Sequence, residues 1–307
     1  MSTNHSAASS LPAGLIVNAD DLGIHPDISA GILSAYRKGI LTSCSMLMTT
    51  AYLEQTLRDY VRPEALPIGI HLSLTLGKAA APLAKVPDLV DTQGNLKLSA
   101  SRLLVFSFGG HFGRRLLEQI RAEFGAQLAL ARDWGLRPTH ADSHQHVHMN
   151  PAIFSLVQDL LPRYGVTRLR FCREPLPLFL SMQGLPIALR RLNPLKWALL
   201  RWRATQVRAR LATNEDFFGI LHSGAMSKNV LMAIISAISA DRSAEICIHP
   251  GFPAPRGPTF YPRPGYNDFI STPARRIEHD ILVDEDVREC VRRRRLVLRA
   301  FDGRAKG

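Results

Sequence analysis

Acidic and histidine side chains follow several strand-like apolar segments of the sequence. Asp20 and Asp21 come after "GLIVNA", His71 lies within "LPIGIHLSL", and His249 follows "AEICI". Imidazole and carboxylate groups together bind divalent metal ions, and a hydrolase built on such an ion also needs a base and an acid nearby. The sequence therefore predicts a metal-hydrolase centre assembled from the ends of separate strands.

The densest group of such residues lies in "THADSHQHVHMNP", residues 139–151, where four histidines and Asp142 occupy every second position. On an extended chain these side chains share one face, and the first and last histidines lie roughly 26 Å apart at about 3.3 Å per residue. One metal ion with bonds of about 2.0 Å cannot collect them all. Most of them must support the site, contact substrate or belong to the framework. The four are His140, His144, His146 and His148.

The adjacent carboxylates of Asp20 and Asp21 need a cation nearby, because unpaired they would raise each other's pKa. Successive side chains on an extended strand point to opposite sides, so one carboxylate can bind a metal while the other acts as a base. Alternatively, "NADD" caps the helix that follows, since Asp is a good N-cap residue. The spacing alone leaves these roles open.

Apolar strand-like runs alternate with helix-like periodic stretches along the chain. Strands are predicted at 14–19, 42–50, 66–74, 138–144, 166–171, 217–221 and 244–250. Helices are predicted at 29–39, 52–61, 114–135, 152–165, 227–240 and 274–296. This alternation favours an α/β fold with parallel strands covered by helices. About seven strands indicate a complete or incomplete barrel, and a doubly wound open sheet is the alternative. In both folds, chemistry gathers at the carboxyl ends of the strands.

The composition is that of a globular protein of 307 residues with a net charge of +12. The four cysteines form no CxxC pair, which argues against a thiolate zinc site. With no signal-peptide pattern or long apolar run, we expect a cytoplasmic location, extending to the inner face of the membrane. We predict a disordered tail at 1–13, one domain at 14–300 with a basic insertion at about 176–213, and a tail at 301–307. Sequence does not fix the oligomeric state, and a dimer is compatible with it.

Residues 189–210 contain seven Arg or Lys residues and no acid. Apolar side chains recur there at spacings of three and four, which is typical of an amphipathic helix. A basic helix of this kind can lie on an anionic membrane or line a groove for a lipid tail, and an ordinary surface helix is the alternative. The candidate lipid-facing residues are Leu195, Trp197, Leu199 and Trp202. Nucleic-acid binding is not expected, because no recognition motif is present and the acidic and histidine residues would have no role.

Five segments resemble the YdjC-like carbohydrate deacetylases, the family of the chitooligosaccharide deacetylase ChbG. They are "LIVNADDLG" (15–23), "GILSAYRKGILTSCSMLM" (31–48), "GIHLSLTLGK" (69–78), "PTHADSHQHVHMNPAIF" (138–154) and "IHPG" (248–251). The resemblance implies an irregular (β/α) barrel that removes acetyl groups from N-acetylated sugars with one divalent metal ion. It implies Asp21, His71 and His144 as ligands, Asp20 as the general base and His249 as the general acid. Leu22 departs from the family pattern, in which an aromatic residue is usual.

The later segments "REPL" (173–176) and "NEDFFGILHSGAM" (214–226), with the basic stretch, are similar to the hopanoid biosynthesis-associated HpnK subgroup. This implies a substrate with an N-acetylglucosaminyl group on a hopanoid lipid. A soluble chitooligosaccharide, or hydrolysis of another bond, is the alternative. Ligand type favours Zn²⁺, and the family is compatible with Mg²⁺. Six further residues are expected to support the site or contact substrate: Asn18, Asp142, His146, His148, Arg173 and Glu174.

Overall fold

The computed structural model describes residues 10–99, 102, 110–175, 193–255, 261 and 265–306. Its strands form one parallel sheet in the order β4-β3-β2-β1-β6-β5. They are β1 (Gly14–Leu22), β2 (Ser43–Met46), β3 (Ile68–Leu72), β4 (Ala141–Ser143), β5 (Asp216–Phe218) and β6 (Ser243–Ile248). All nine residues of β1 are buried, as expected for a central parallel strand covered on both faces. The predicted parallel α/β architecture is therefore confirmed.

The helices alternate with these strands, as the apolar periodicity predicts. They are α1 (Pro26–Lys38), α2 (Leu53–Thr56), α3 (Gly110–Asp133), α4 (Pro151–Leu160), α5 (Asn193–Gln206), α6 (Lys228–Ala237), α7 (Tyr266–Ser271), α8 (Ala274–Leu282) and α9 (Glu285–Arg293). The single helix predicted at 274–296 is two helices, because the Asp284 side chain accepts a hydrogen bond from Asp286 N and begins a new helix. No helix in the described ranges combines the length and apolarity that a bilayer-spanning segment needs.

The sheet curls into a half-barrel, and residues 168–173 lie between its two edges, where Phe217 N of β5 donates to the Arg173 carbonyl. Leu169 forms an isolated parallel bridge with Ala141 of β4, and Arg168 forms one with Ala212, which lies just before β5. These single bridges replace the strand predicted at 166–171. The described residues therefore form a sheet of six strands, where about seven are predicted from the sequence.

Both ends of the described chain pack against the sheet. Leu11 is buried against Ile16 and Phe301, and the Phe301 ring stacks on His140 with ring centroids 3.7 Å apart. Lys306 Nζ donates to backbone carbonyls that include that of Leu41. Tails are predicted at 1–13 and 301–307, but residues 10–13 and 301–306 contact the domain. Residues 1–9 and 307, and residues 176–192 of the predicted insertion, lie outside the described part of the chain.

Candidate active site

The two aspartates at the end of β1 reach the same site because the strand is irregular there. The register with β2 shifts between Ala19 and Leu22, and Asp21 has a left-handed φ of 69°. His71 Nε2 consequently lies 4.0 Å from Asp20 Oδ2 and 3.7 Å from Asp21 Oδ1. The prediction that the two carboxylates point to opposite sides of the strand is wrong, since the bulge interrupts the alternation.

The capping alternative for these aspartates does not hold, because helix α1 begins later. Its N-cap is His25, whose side chain accepts a hydrogen bond from Asp27 N. Asp20 and Asp21 are both buried within β1 instead. Their carboxylates are therefore available to the site.

Asp21, His71 and His144 form a group whose ligand atoms all lie within 4.8 Å of one another. Asp21 Oδ1 lies 3.2 Å from His144 Nδ1, and it is buried without a well-aligned hydrogen bond from any described residue. Burial raises the pKa of Asp21, but the His144 ring and the charge of Arg275 hold it far below its usual range. One carboxylate and two imidazoles fit a divalent metal ion. In this donor set the buried Oδ1 of Asp21 faces both imidazole rings. The set therefore fits the ion that the resemblance implies.

Asp142 lies behind His71 and orients its ring. Its Oδ1 is 2.7 Å from His71 Nδ1, which leaves His71 Nε2 facing Asp21. Burial lowers the pKa of His71, but the carboxylates of Asp142 and Asp20 raise it to about 9. A carboxylate behind a ligand histidine fixes the ring and increases its basicity. The excess negative charge around the ring favours a cation at Nε2.

Arg170 is a site residue that no sequence motif predicts. Its two Nη atoms lie 2.8 and 2.7 Å from the two carboxylate oxygens of Asp20, and its Nε lies 2.8 Å from Glu245 Oε1. Nη1 also lies 2.7 Å from Asp142 Oδ2. Burial raises the pKa of Asp20, but the Arg170 charge holds it well below its usual range. The Asp20 carboxylate is therefore kept ionised and held in one orientation by Arg170.

His249 reaches the site from the end of β6. Its backbone N–H donates to Glu278, and its ring packs edge-on against Phe269 with centroids 6.1 Å apart. Burial lowers the pKa of His249 to about 4, so the ring is neutral at pH 7. Two residues earlier on the strand, the Cys247 thiol donates to Asp20 Oδ2 over 3.2 Å.

The histidine-rich stretch is extended only as far as Ser143. His144–Met149 then forms a 3₁₀ segment in which Gln145 and His146 have left-handed φ values of 57° and 55°. The extended geometry assumed from the sequence is therefore wrong beyond β4. The structure nevertheless agrees that one metal ion does not bind all four histidines. Among the described residues of this stretch, His144 is the one histidine in a candidate metal group.

The other three histidines of the stretch have separate environments. His148 is fully buried, with Nδ1 2.6 Å from Ser143 Oγ and Nε2 3.1 Å from the Arg170 carbonyl. His140 contacts Ser45 Oγ at 3.1 Å and stacks on Phe301. These two belong to the framework. His146 instead lines the cavity above the site.

A cavity of about 350 Å³ opens over these residues, which is within the range of small-molecule sites. Its floor contains Asp20, His71, His144 and His249. Its walls are mainly polar, with one aromatic ring. They include Gln145, His146, Lys196, Ser223 and Phe269. A single polar cavity therefore joins the metal-ligand group to the candidate base and acid.

The remaining predicted residues separate into one that supports the site and two that lie beside it. The Asn18 amide donates to Asp20 Oδ1 over 2.9 Å and to Ser45 Oγ over 2.8 Å. Arg173 donates to the backbone carbonyl of Glu215 and is not among the described residues that line the cavity. Glu174 accepts hydrogen bonds from three consecutive backbone N–H groups, those of residues 219–221. Burial raises the pKa of Glu174 to about 7 despite these bonds.

Glu245 gives a pH-dependent prediction for stability. Burial raises its pKa to about 7, and the charge of Arg170 lowers it only in part. Because the pKa is higher in the folded state, the protonated carboxyl group of Glu245 contributes to the free energy of unfolding. This contribution is fully present below about pH 4.5 and is lost as the pH rises through about 7. Glu245→Gln removes the titration. We therefore expect the stability of the variant relative to wild type to rise by about 2 kcal/mol between about pH 5 and pH 8. Urea unfolding at both pH values measures this, and a pH-independent difference would contradict it.

Comparison with known proteins identifies relatives over most of the chain. A profile of the YdjC-like protein family matches residues 14–293. A carbohydrate deacetylase from Geobacillus stearothermophilus is 31% identical over 242 residues, covering 79% of this chain and 81% of that protein. One from Brevibacillus brevis is 35% identical over 153 residues, covering 50% of this chain and 57% of that protein.

A solved structure from Enterococcus faecalis, named as a candidate cellobiose-phosphate cleavage protein, shares the fold with a TM-score of 0.69. It is 23% identical in sequence, and the match covers 97% of this chain and 98% of that one. The family match extends over most of the chain and includes every residue of the site described above. The chain belongs to the YdjC-like protein family.

Proposed function

We propose that this protein hydrolyses the acetamide of an N-acetylated sugar and releases acetate. The proposal rests on one observation: the residues proposed to bind the metal, to act as the base and to act as the acid meet at one cavity. His71 and His144 of the candidate ligand group line this cavity together with Asp20, whose carboxylate Arg170 fixes, and His249. The relatives named as carbohydrate deacetylases support the same reaction. The donor set of Asp21, His71 and His144 favours Zn²⁺ by ligand type, and Mg²⁺ is the alternative.

The residues of this chain divide the proton transfers between them. A divalent ion held by Asp21, His71 and His144 would supply charge stabilisation at the acetyl oxygen and a more acidic water. Asp20, kept ionised by Arg170, accepts the proton of the attacking water. His249 delivers a proton to the departing nitrogen, which needs one to leave as an amine. Burial keeps the His249 ring neutral, so the proton it delivers is the one that Asp20 takes from water: it passes from Asp20 to His249, whose ligand atoms lie within 4.8 Å, and both groups return to their starting state.

Acetate release from N-acetylglucosamine conjugates tests this function directly. The purified protein is assayed with Zn²⁺, Co²⁺, Ni²⁺ and Mg²⁺ in turn, with His144→Ala as the control. We expect metal-dependent acetate release by the wild type and its loss in the variant. Equal inactivity of both proteins on every conjugate would contradict the deacetylase, and turnover of another ester or amide instead would favour a different metallohydrolase.

We further propose a lipid-linked substrate, the N-acetylglucosaminyl-hopanoid that the subgroup resemblance implies. Helix α5 contains three basic residues and no acid. Leu195 and Trp202 on this helix are 68% and 48% exposed, and they lie seven residues apart on one face. Lys196, from the same helix, lines the cavity. A lipid anchored on this face would therefore lie beside the mouth of the site.

The other two candidate lipid-facing residues are less exposed. The Trp197 indole donates to the Glu174 carbonyl over 3.2 Å, and its ring packs against the core. Leu199 is half-buried. We therefore assign the proposed membrane contact to Leu195 and Trp202.

We predict that Leu195→Ser combined with Trp202→Ser weakens membrane association. Flotation with anionic vesicles is expected to fall, because the exposed apolar area of α5 is lost while its charge remains. Turnover of the lipid-linked substrate should fall with it, and turnover of soluble chitobiose should not. Ile277→Ser is the matched control, since Ile277 is 52% exposed on a different helix. Unchanged flotation and lipid turnover would overturn the membrane contact, and preference for chitobiose would favour the soluble substrate.

A further inference from the structure

We propose that Asp20, Cys247 and His249 form a second metal site, which takes thiophilic divalent ions such as Zn²⁺ or Cd²⁺ and silences the enzyme when filled. The site shares no residue with the group of Asp21, His71 and His144. The effect on activity rests on the proposed function. The binding itself does not.

Strand register brings the three side chains together. Asn18 of β1 pairs with Cys247 of β6 and Ala19 pairs with Ile248, and Asp20 and His249 follow directly on their strands. Cys247 Sγ is 3.2 Å from Asp20 Oδ2, and the ligand atoms of all three residues lie within 4.8 Å of one another. Ligand atoms around tetrahedral zinc lie about 3.3–3.8 Å apart. The group therefore needs to close by only about 1 Å to hold such an ion.

The donor types select the ion. A thiolate, an imidazole and a carboxylate suit Zn²⁺ and Cd²⁺, whereas Mg²⁺ prefers oxygen ligands and retains its water. Among the described residues, this is the only candidate group that contains sulfur. Asp20 and His249 line the cavity, so an ion entering it reaches two of the three ligands.

Binding requires Cys247 to lose its proton, although burial and the neighbouring Asp20 carboxylate hold the pKa of this thiol well above its usual range. The ion replaces the thiol proton that Cys247 shares with Asp20 Oδ2: one S–H bond breaks, one sulfur–metal bond forms, and the proton leaves to solvent. The guanidinium of Arg170 is nearby, but carboxyl groups of Asp20, Asp142 and Glu245 surround it. These groups offset the charge of Arg170, whereas Lys196 and Arg275, which also act on His249, oppose a second cation.

Filling this site would remove both proton-transfer groups at once. Asp20 could no longer accept the proton of water, and the His249 nitrogen that binds the ion could no longer carry one. We therefore expect the first equivalent of zinc to activate the enzyme at Asp21, His71 and His144. A second equivalent should inhibit it, and excess Mg²⁺ should not.

Cadmium titration tests the binding without any assay of activity. Wild type is expected to bind two Cd²⁺ ions per chain and to show the ultraviolet charge-transfer band of a cadmium–thiolate bond. Cys247→Ser should bind one ion and lack the band. Cys172→Ser is the matched control, because Cys172 is also a buried thiol but belongs to no candidate metal group among the described residues. It should behave as wild type. An unchanged band in Cys247→Ser, or none in wild type, would overturn the site.

A second experiment measures how added zinc inhibits acetate release. For each protein, the rate is expressed relative to the rate of the same protein with one equivalent of metal. The zinc concentration for half inhibition is expected to rise roughly tenfold or more in Cys247→Ser, because the sulfur ligand is lost. Equal inhibition of both proteins would show that the site does not control turnover. If no protein releases acetate, the proposed function fails, while the cadmium band still decides whether the site binds metal.

Discussion

Replacing Arg170 by methionine is expected to abolish turnover and to lower the free energy of unfolding by about 3–5 kcal/mol. The Arg170 side chain is fully buried and contacts the carboxyl groups of Asp20, Asp142 and Glu245. Without the guanidinium, these groups remain buried with no counter-charge, which costs more than an ordinary cavity. Urea unfolding measures the loss of stability, and acetate release measures the loss of activity.

The same variant gives a pH signature. The charge of Arg170 lowers the pKa values of Asp20 and Asp142 against the effect of burial. The ionised carboxylates therefore stabilise the wild type above about pH 4. This stabilisation is lost as the pH falls through the lowered pKa values that the two groups have in the folded protein. In the variant the carboxyl groups protonate more readily. The stability difference between the two proteins should therefore narrow in acid.

Arg170→Lys separates the charge of the side chain from its shape. Lysine keeps the positive charge, but it cannot hold both oxygens of Asp20 as the planar guanidinium does. We expect a smaller loss of stability than in the methionine variant, but still a large loss of kcat. A lysine variant with wild-type kcat would show that the orientation of Asp20 is unimportant.

The sequence predicts the strand ends of this site because their signal is local. An apolar run followed by a polar residue marks the end of a buried strand, as in β1 and β6. His71 lies inside β3, and β4 is the polar segment "ADS", so there the alternation with helices gives the signal. The parallel arrangement follows from the alternation with helices. Together these place Asp20, His71, His144 and His249 at one end of the sheet.

Other parts of the site depend on contacts between distant residues. Arg170 is separated from Asp20 by 150 positions and from Glu245 by 75, and such pairings leave no periodic pattern in the sequence. The left-handed backbone of Asp21, and of Gln145 and His146, is a conformation that non-glycine residues rarely adopt. Surrounding structure holds it, so residue type could not predict it. The break before α9 is different, since the capping residue Asp284 was visible in the sequence.

A matched pair of variants assigns the roles of the two adjacent aspartates. Asp20→Asn is expected to lower kcat by about 10²–10⁴-fold, because an amide cannot accept the proton of water. The ion held by Asp21, His71 and His144 should be retained. Asp21→Asn should instead lose the metal, because it removes the carboxylate that lies between His71 and His144. Metal content after dialysis and single-substrate kinetics measure the two effects.

The contacts of the two carboxylates explain why Asp21 and not Asp20 is expected to hold this metal ion. Arg170 holds both oxygens of Asp20, which fixes the carboxylate and directs it to the cavity floor. Asp21 has one oxygen near Arg275, at 3.1 Å, while its other oxygen faces the two histidine rings. Loss of metal from Asp20→Asn with retention in Asp21→Asn would reverse the assignment. Retention of metal and activity in both variants would remove the aspartates from the mechanism, and the site would then need a different base.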